Sequence, residues 1–240
     1  MTPLVTTTPG SFPASAAHRQ EEAAAAQAAA TGGWWARTRI GASALRKLLA
    51  DPEDTHQVFV MSMAINAGAL PRMLERFLRD DSGLQLLQRR AAITSQHIDF
   101  GALGALPANT LGGAYARFLR RNNLNPDLFQ PPPTLPPAAA YLVQRLRQTH
   151  DLWHVLTGYD TDIGGELSIL GFTYAQTGAP SIGLIAALGA MRYSLDMPNI
   201  IPRVYRAYRR GQAAQYLGNV PWESMWSLPL TQVKQQLGVA

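Results

Sequence analysis

Apolar residues return at intervals of three and four along most of the chain, which is the period of an amphipathic helix. Val58, Met61 and Ile65 form one such stripe, and Met73, Leu74, Phe77 and Leu78 form another. Leu111, Tyr115, Phe118 and Leu119 follow Thr110, whose hydroxyl suits a helix N-cap. From Ala138 a single helix is predicted, with Leu142, Val143, Leu146, His150, Trp153 and His154 along one face. Further stripes run through Leu167, Leu170 and Tyr174, through Ser181 to Leu195, through Ile201, Val204 and Tyr208, and through Leu230, Val233 and Leu237. The five prolines between Gln130 and Pro137 predict an extended linker, because proline lacks the amide hydrogen and clashes with the preceding turn. No segment sustains period-two alternation. The pattern predicts an all-α fold, one helical domain over residues 37–240.

Residues 1–36 are different material, rich in Ala, Thr, Ser, Pro and Gln and without an apolar helical face. They read as a disordered extension. Arg19 is the only arginine there and Glu21-Glu22 are acidic, which counts against a transit peptide; no apolar core of a signal peptide is present either. Trp34 and Trp35, after two glycines, are expected to pack on the domain, with a membrane interface as the other option. Ile182 to Met191 is apolar on all sides, so burial between helices is expected ahead of lipid contact. Ten residues cannot cross a bilayer, which takes about twenty.

Composition adds two constraints. With 47% hydrophobic and only 15% charged residues the surface should be rather apolar, and the absence of cysteine removes disulfides and thiolate ligands. The formal charge of +5 comes with Arg203, Arg206 and Arg210 at helical spacing, flanked by Arg209. This stripe reads either as a solvated face or as a contact for anionic lipid or a prenyl-lipid headgroup. Nucleic acid is disfavoured, since neither RNA-binding aromatic motifs nor a helix-turn-helix pattern accompanies it.

The chemistry concentrates in His150-Asp151-Leu152-Trp153-His154, with Glu166 after eleven intervening residues. Histidines four apart share a helix face. Imidazole nitrogen and carboxylate oxygen are donors that zinc and iron accept. The intervening Gly158, Asp160, Asp162, Gly164 and Gly165 predict a turn between two helices, with Glu166 in the first turn of the second. His150, His154 and Glu166 are thus the candidate ligands of a divalent metal, zinc first and iron second. Asp151 is a candidate fourth ligand, or it orients an imidazole. The zincin pattern places a glutamate general base where Asp151 stands, so peptide hydrolysis by that route is disfavoured. An HD phosphohydrolase would need more His-Asp pairs than His18, His56 and His97 supply.

His150-Asp151-x-x-His154 with Glu166 at this spacing resembles the signature of the ubiquinone (coenzyme Q) biosynthesis protein 4 family. The flanking residues 153–160 (WHVLTGYD), the segment 48–59 (LLADPEDTHQVF), the LP-x-x-T-L-G-x-x-Y pattern from Leu106 to Tyr115, and the W-E-x-x-W-x-x-P-L pattern from Trp222 to Leu230 agree with it. The likeness covers roughly residues 38–239. It implies a role in ubiquinone biosynthesis, through oxidative decarboxylation in which a polyprenylated benzoate-type ring exchanges its carboxylate for hydroxyl. The alternative it implies is a non-catalytic, lipid-binding organiser of the biosynthetic complex. Other ubiquinone-biosynthesis proteins, a prenyl lipid, a membrane surface and a second copy of the chain are the partners it implies. The location implied is peripheral, on the cytoplasmic side of a bacterial inner membrane or the matrix side of the mitochondrial one.

Overall fold

The computed structural model describes residues 35, 39–43, 46, 62, 64–127 and 135–239. The extension expected over residues 1–36 (Trp35 apart), the segment 48–59, Val58 and Met61, and most of the proline-rich run lie outside the described residues. The rest is helical, with no β-strand among the described residues. In chain order the helices are α1 (Leu70–Leu78), α2 (Asp81–Arg89), α3 (Phe100–Ala105), α4 (Leu111–Arg121), α5 (Pro137–Gln148) and α6 (His150–Thr157). They continue with α7 (Ile163–Thr177), α8 (Pro180–Arg192), α9 (Ile200–Ala213) and α10 (Leu230–Gln236).

Two apolar clusters hold these elements. The larger gathers Tyr115, Leu152, Trp153, Leu156, Ile169, Phe172, Ala207 and Trp222, joining α4, α6, α7, α9 and the closing segment. The smaller joins α1, α2 and α5 through Met73, Phe77, Leu86, Tyr141 and Leu142. Leu146 of α5 packs against both.

Thr110 caps α4 as its sequence predicts, accepting the Gly113 amide at 3.2 Å. The closing segment completes that cap. The Leu228 carbonyl accepts the Leu111 amide and the Trp226 carbonyl the Gly112 amide, both at 2.9 Å. First-turn amides that helix geometry leaves unpaired are therefore satisfied by carbonyls distant along the chain. The LP-x-x-T-L-G and W-E-x-x-W-x-x-P-L patterns meet here as a structural clasp.

Two expectations need correction. The single helix expected from Ala138 to His154 is two, α5 and α6, separated at Thr149. The Thr149 hydroxyl bonds back to the Arg145 carbonyl at 3.0 Å, a competition with backbone pairing that bends helices. Nor is α8 buried all round: only Ser181, Ala186 and Ala190 are buried. It packs on α7 through Gly183, against the Tyr174 ring, and Gly189, against Leu167. Small residues therefore take the inner face, which leaves Ile182, Leu184, Ile185 and Leu188 half-buried and Met191 exposed.

Candidate metal centre

Helix α6 ends at Gly158, whose φ of +75° is the left-handed conformation that glycine adopts at least cost. The turn that follows folds tightly, and its Asp160 carbonyl comes so close to Gly165 that a Cβ there would sit 1.9 Å away. Asp162 then caps α7 by accepting the Gly165 amide at 2.5 Å. This brings Glu166, in the first turn of α7, back over the histidine face of α6. The turn is tied to the end of α4 by the Arg121–Asp160 pair at 3.0 Å and by the Thr161 hydroxyl donating to Asn122 at 3.0 Å.

The two imidazoles converge. His154 Nδ1 lies 2.9 Å from the Tyr159 carbonyl, which can only accept, so Nδ1 carries the proton and Nε2 offers a lone pair. That Nε2 stands 3.2 Å from Nε2 of His150. Glu166 approaches both, with Oε1 3.6 Å from His154 Nε2 and Oε2 4.0 Å from His150 Nε2. Stacking of Phe118 on the His154 ring, at 5.5 Å between centroids, fixes the plane of the imidazole. The sequence marked Phe118 only as a core position, and nothing in it marked the Tyr159 carbonyl.

Burial keeps these groups near neutrality. His150 is lowered by burial, then by His154 and Arg147 nearby, and His154 is lowered mainly by burial. Burial raises Glu166 to about 7, helped by the charges of Asp151 and Asp162, and raises Asp151 to about 6. Two neutral imidazoles beside a carboxylate that resists ionisation are the environment a dication relieves. A separation of 3.2 Å between nitrogens is what bonds of about 2.0–2.1 Å at roughly 100° produce. The residues fit a divalent ion.

His150, His154 and Glu166 are brought together, each offering a ligand atom within 4.8 Å of the others. Asp151 stands beside this trio and outside it, close enough for its charge to act on Glu166. The arginine stripe is divided. Arg210 is half-buried, donating to the Thr157 carbonyl at 2.7 Å and the Val239 carbonyl at 2.5 Å, with its guanidinium over the Tyr159 ring. It braces the turn behind His154. Arg203 is half-buried against Gly164 at the start of α7, and Arg206 is exposed.

An all-α domain with two imidazoles and a carboxylate presented to one point defines a candidate divalent-metal protein. The family model described as coenzyme Q (ubiquinone) biosynthesis protein Coq4 matches residues 33–240, and the chain belongs to this family, which acts in ubiquinone biosynthesis. The ubiquinone biosynthesis protein COQ4 homolog, mitochondrial, of Bos taurus is 33% identical over 206 residues, covering 83% of this chain and 77% of the relative. Its Homo sapiens counterpart is 30% identical over 203 residues, covering 83% and 77%. A crystal structure from Nostoc punctiforme, provisionally named a ubiquinone biosynthesis protein, superposes with a TM-score of 0.69. That likeness has 25% identity and covers 84% of this chain and 98% of the other.

Proposed function

We propose that His150, His154 and Glu166 hold one divalent ion, zinc by donor preference and iron second. The site would then serve the ubiquinone pathway by replacing the carboxylate of a polyprenylated benzoate-type ring with hydroxyl. The convergence of the two Nε2 atoms at 3.2 Å under Glu166 carries this reading. Such an ion supplies a Lewis acid for the ring carboxylate and its neighbouring oxygen. The chain's own part is to keep both imidazoles unprotonated and to hold the His154 tautomer through Tyr159. The reaction would break the bond from ring to carboxylate, release carbon dioxide and form a ring–oxygen bond with oxygen from water, the two electrons released passing to an oxidant such as molecular oxygen, which leaves as hydrogen peroxide.

The test is the identity of what accumulates when Glu166→Ala replaces the wild-type chain in a strain that needs it for ubiquinone. The expected result is loss of ubiquinone with build-up of a prenylated ring still bearing its carboxylate, identified by mass spectrometry. Ubiquinone loss without that compound would move the assignment to the organiser of the biosynthetic complex.

A membrane contact is the second part of the reading, and one surface favours it. Leu195 is 92% exposed, Tyr205 61%, Met191 57% and Ile201 51%, on α8, α9 and the turn that joins them. Arg192, Arg206 and Arg209 stand exposed on the same two helices. Apolar and aromatic side chains bordered by cations suit an anionic bilayer surface holding a prenylated ring. No described helix is long and apolar enough to cross a membrane. Of the two locations expected, the mitochondrial names of the relatives favour the mitochondrial one. A homodimer would set two such edges against one bilayer and strengthen attachment through effective concentration. Each arginine near an anionic surface contributes about 1 kcal/mol. Reversing Arg192, Arg206 and Arg209 to glutamate should therefore release the protein from anionic liposomes at low salt. Unchanged co-sedimentation would mark these arginines as a solvated face. Arg210 is left out of that variant because it braces the turn behind His154.

A further inference from the structure

Both residues that hold the His154 imidazole carry a guanidinium over their own rings. Arg121 lies 5.7 Å from the Phe118 centroid, and Arg210 lies 5.6 Å from the Tyr159 centroid. The two arginines are not equivalent. The Arg121 side chain is 64% exposed and pairs with Asp160, itself at the surface, so water and salt screen what it contributes. Arg210 is half-buried and spreads its fork over two backbone carbonyls, Thr157 at 2.7 Å and Val239 at 2.5 Å.

Thr157 is the last residue of α6, so its carbonyl is one the helix leaves unpaired, and a cation there meets the negative helix end. Two residues on, the Tyr159 carbonyl accepts from His154 Nδ1. Arg210 therefore holds the turn at Thr157 by a hydrogen bond and at Tyr159 through the ring. Between the two holds stands Gly158, the residue type least able to stiffen a hinge. The other local tie, from the Tyr159 amide to the Thr157 hydroxyl, is long at 3.4 Å. The far end of the fork is anchored in the closing segment. Val239 is fully buried just past α10, and its amide donates to the Lys234 carbonyl at 2.9 Å.

We propose that Arg210 is a positioning residue of the metal centre. Anchored on Val239, it keeps the Tyr159 carbonyl on His154 Nδ1 and so leaves His154 Nε2 unprotonated and aimed at the ion. This role rests on the reading of His150, His154 and Glu166 as metal ligands. Groups that accept from the second nitrogen of a ligating histidine fix its tautomer and orientation, and Arg210 acts one step behind such a group. The closing segment is thereby coupled to the metal centre through a single side chain.

Arg210→Met in the full chain keeps an apolar stem and removes the fork. Nitrogen-15 NMR of histidine-labelled, metal-free protein reads the tautomer, with the His154 signal identified by its loss in His154→Ala. The wild type should show His154 wholly as the Nδ1–H form, and Arg210→Met should show a mixture of both tautomers. Zinc affinity, read by competition with a chromogenic chelator, should fall about ten-fold in Arg210→Met. It should stay within about two-fold of wild type in Arg121→Met, where only an exposed cation is lost. If Arg210→Met does not fold, Arg210→Lys carries the same two measurements, since an ammonium lacks the planar fork that spans both carbonyls and the ring. A folded Arg210 variant whose His154 stays wholly in the Nδ1–H form, or whose zinc affinity equals wild type, would overturn the proposal. An equal loss of zinc in Arg121→Met would overturn it as well. A wild-type chain that takes up neither zinc nor ferrous ion overturns the metal centre instead, while the tautomer, measured without metal, still decides whether Arg210 sets the imidazole.

Discussion

His154→Ala should strip the chain of its metal, from roughly one ion per chain to less than about a tenth in protein purified without chelator. The magnitude follows from the position of this imidazole. His154 Nε2 lies within 3.2 Å of His150 and 3.6 Å of Glu166, so it is shared by both remaining pairs of donors. Its other nitrogen is committed to Tyr159, and its ring lies against Phe118. Alanine leaves one imidazole and one carboxylate, which cannot hold an ion against millimolar competitors. Elemental analysis reads the result, and retention of wild-type metal content would place the site elsewhere. In the wild-type chain the same measurement should depend on pH. Glu166, raised to about 7 without metal, must lose its proton to serve as ligand. Loading should therefore weaken as pH falls below about 7, while His150, held at about 3, adds no competing proton in that range.

The histidine pair and Glu166 were legible because helix periodicity and a glycine-framed turn are local properties. Spacing of four places His150 and His154 on one face whatever packs around them, and Gly158 and Asp162 end and start helices through their own backbone preferences. The N-cap at Thr110 is local in the same sense. What escaped the sequence is decided by contacts distant along the chain. Arg210 looked like part of a cationic stripe until carbonyls of Thr157 and Val239 claimed its guanidinium. The apolar run of α8 pointed to burial, whereas the small residues that pack on α7 turn its larger ones outward. Asp151 follows His150 directly in sequence, yet it stands outside the trio of convergent ligand atoms.

Arg145 gives the largest expected loss of stability. In the sequence it is one of two arginines in a helix tail, but in the fold its side chain is fully buried. Its guanidinium meets the Glu223 carboxylate in a two-pronged pair, Nη1 to Oε1 at 2.5 Å and Nη2 to Oε2 at 2.9 Å. Nη2 also donates to the Val220 carbonyl at 3.0 Å. Breaking a buried pair leaves one charge without its counter-ion, at a cost of about 3–5 kcal/mol. Glu223→Gln, which strands the guanidinium, should therefore lower the unfolding midpoint by on the order of 10 °C for a domain of this size. Arg145→Met should cost less, because the partly exposed Glu223 can turn toward water and the methionine fills the apolar part of the space. Thermal unfolding of the two variants, at low and high salt, separates the cases: a surface pair would lose its effect in salt, and this one should not. The consequence reaches the metal centre through the chain itself. Arg145 is one turn before Thr149, where α5 gives way to the helix that begins with His150, and Glu223 belongs to the segment whose Trp226 holds Tyr115. Loosening this pair should therefore weaken zinc binding in protein that is still folded, and an unaltered affinity in Glu223→Gln below its unfolding midpoint would show the clasp and the site to be independent.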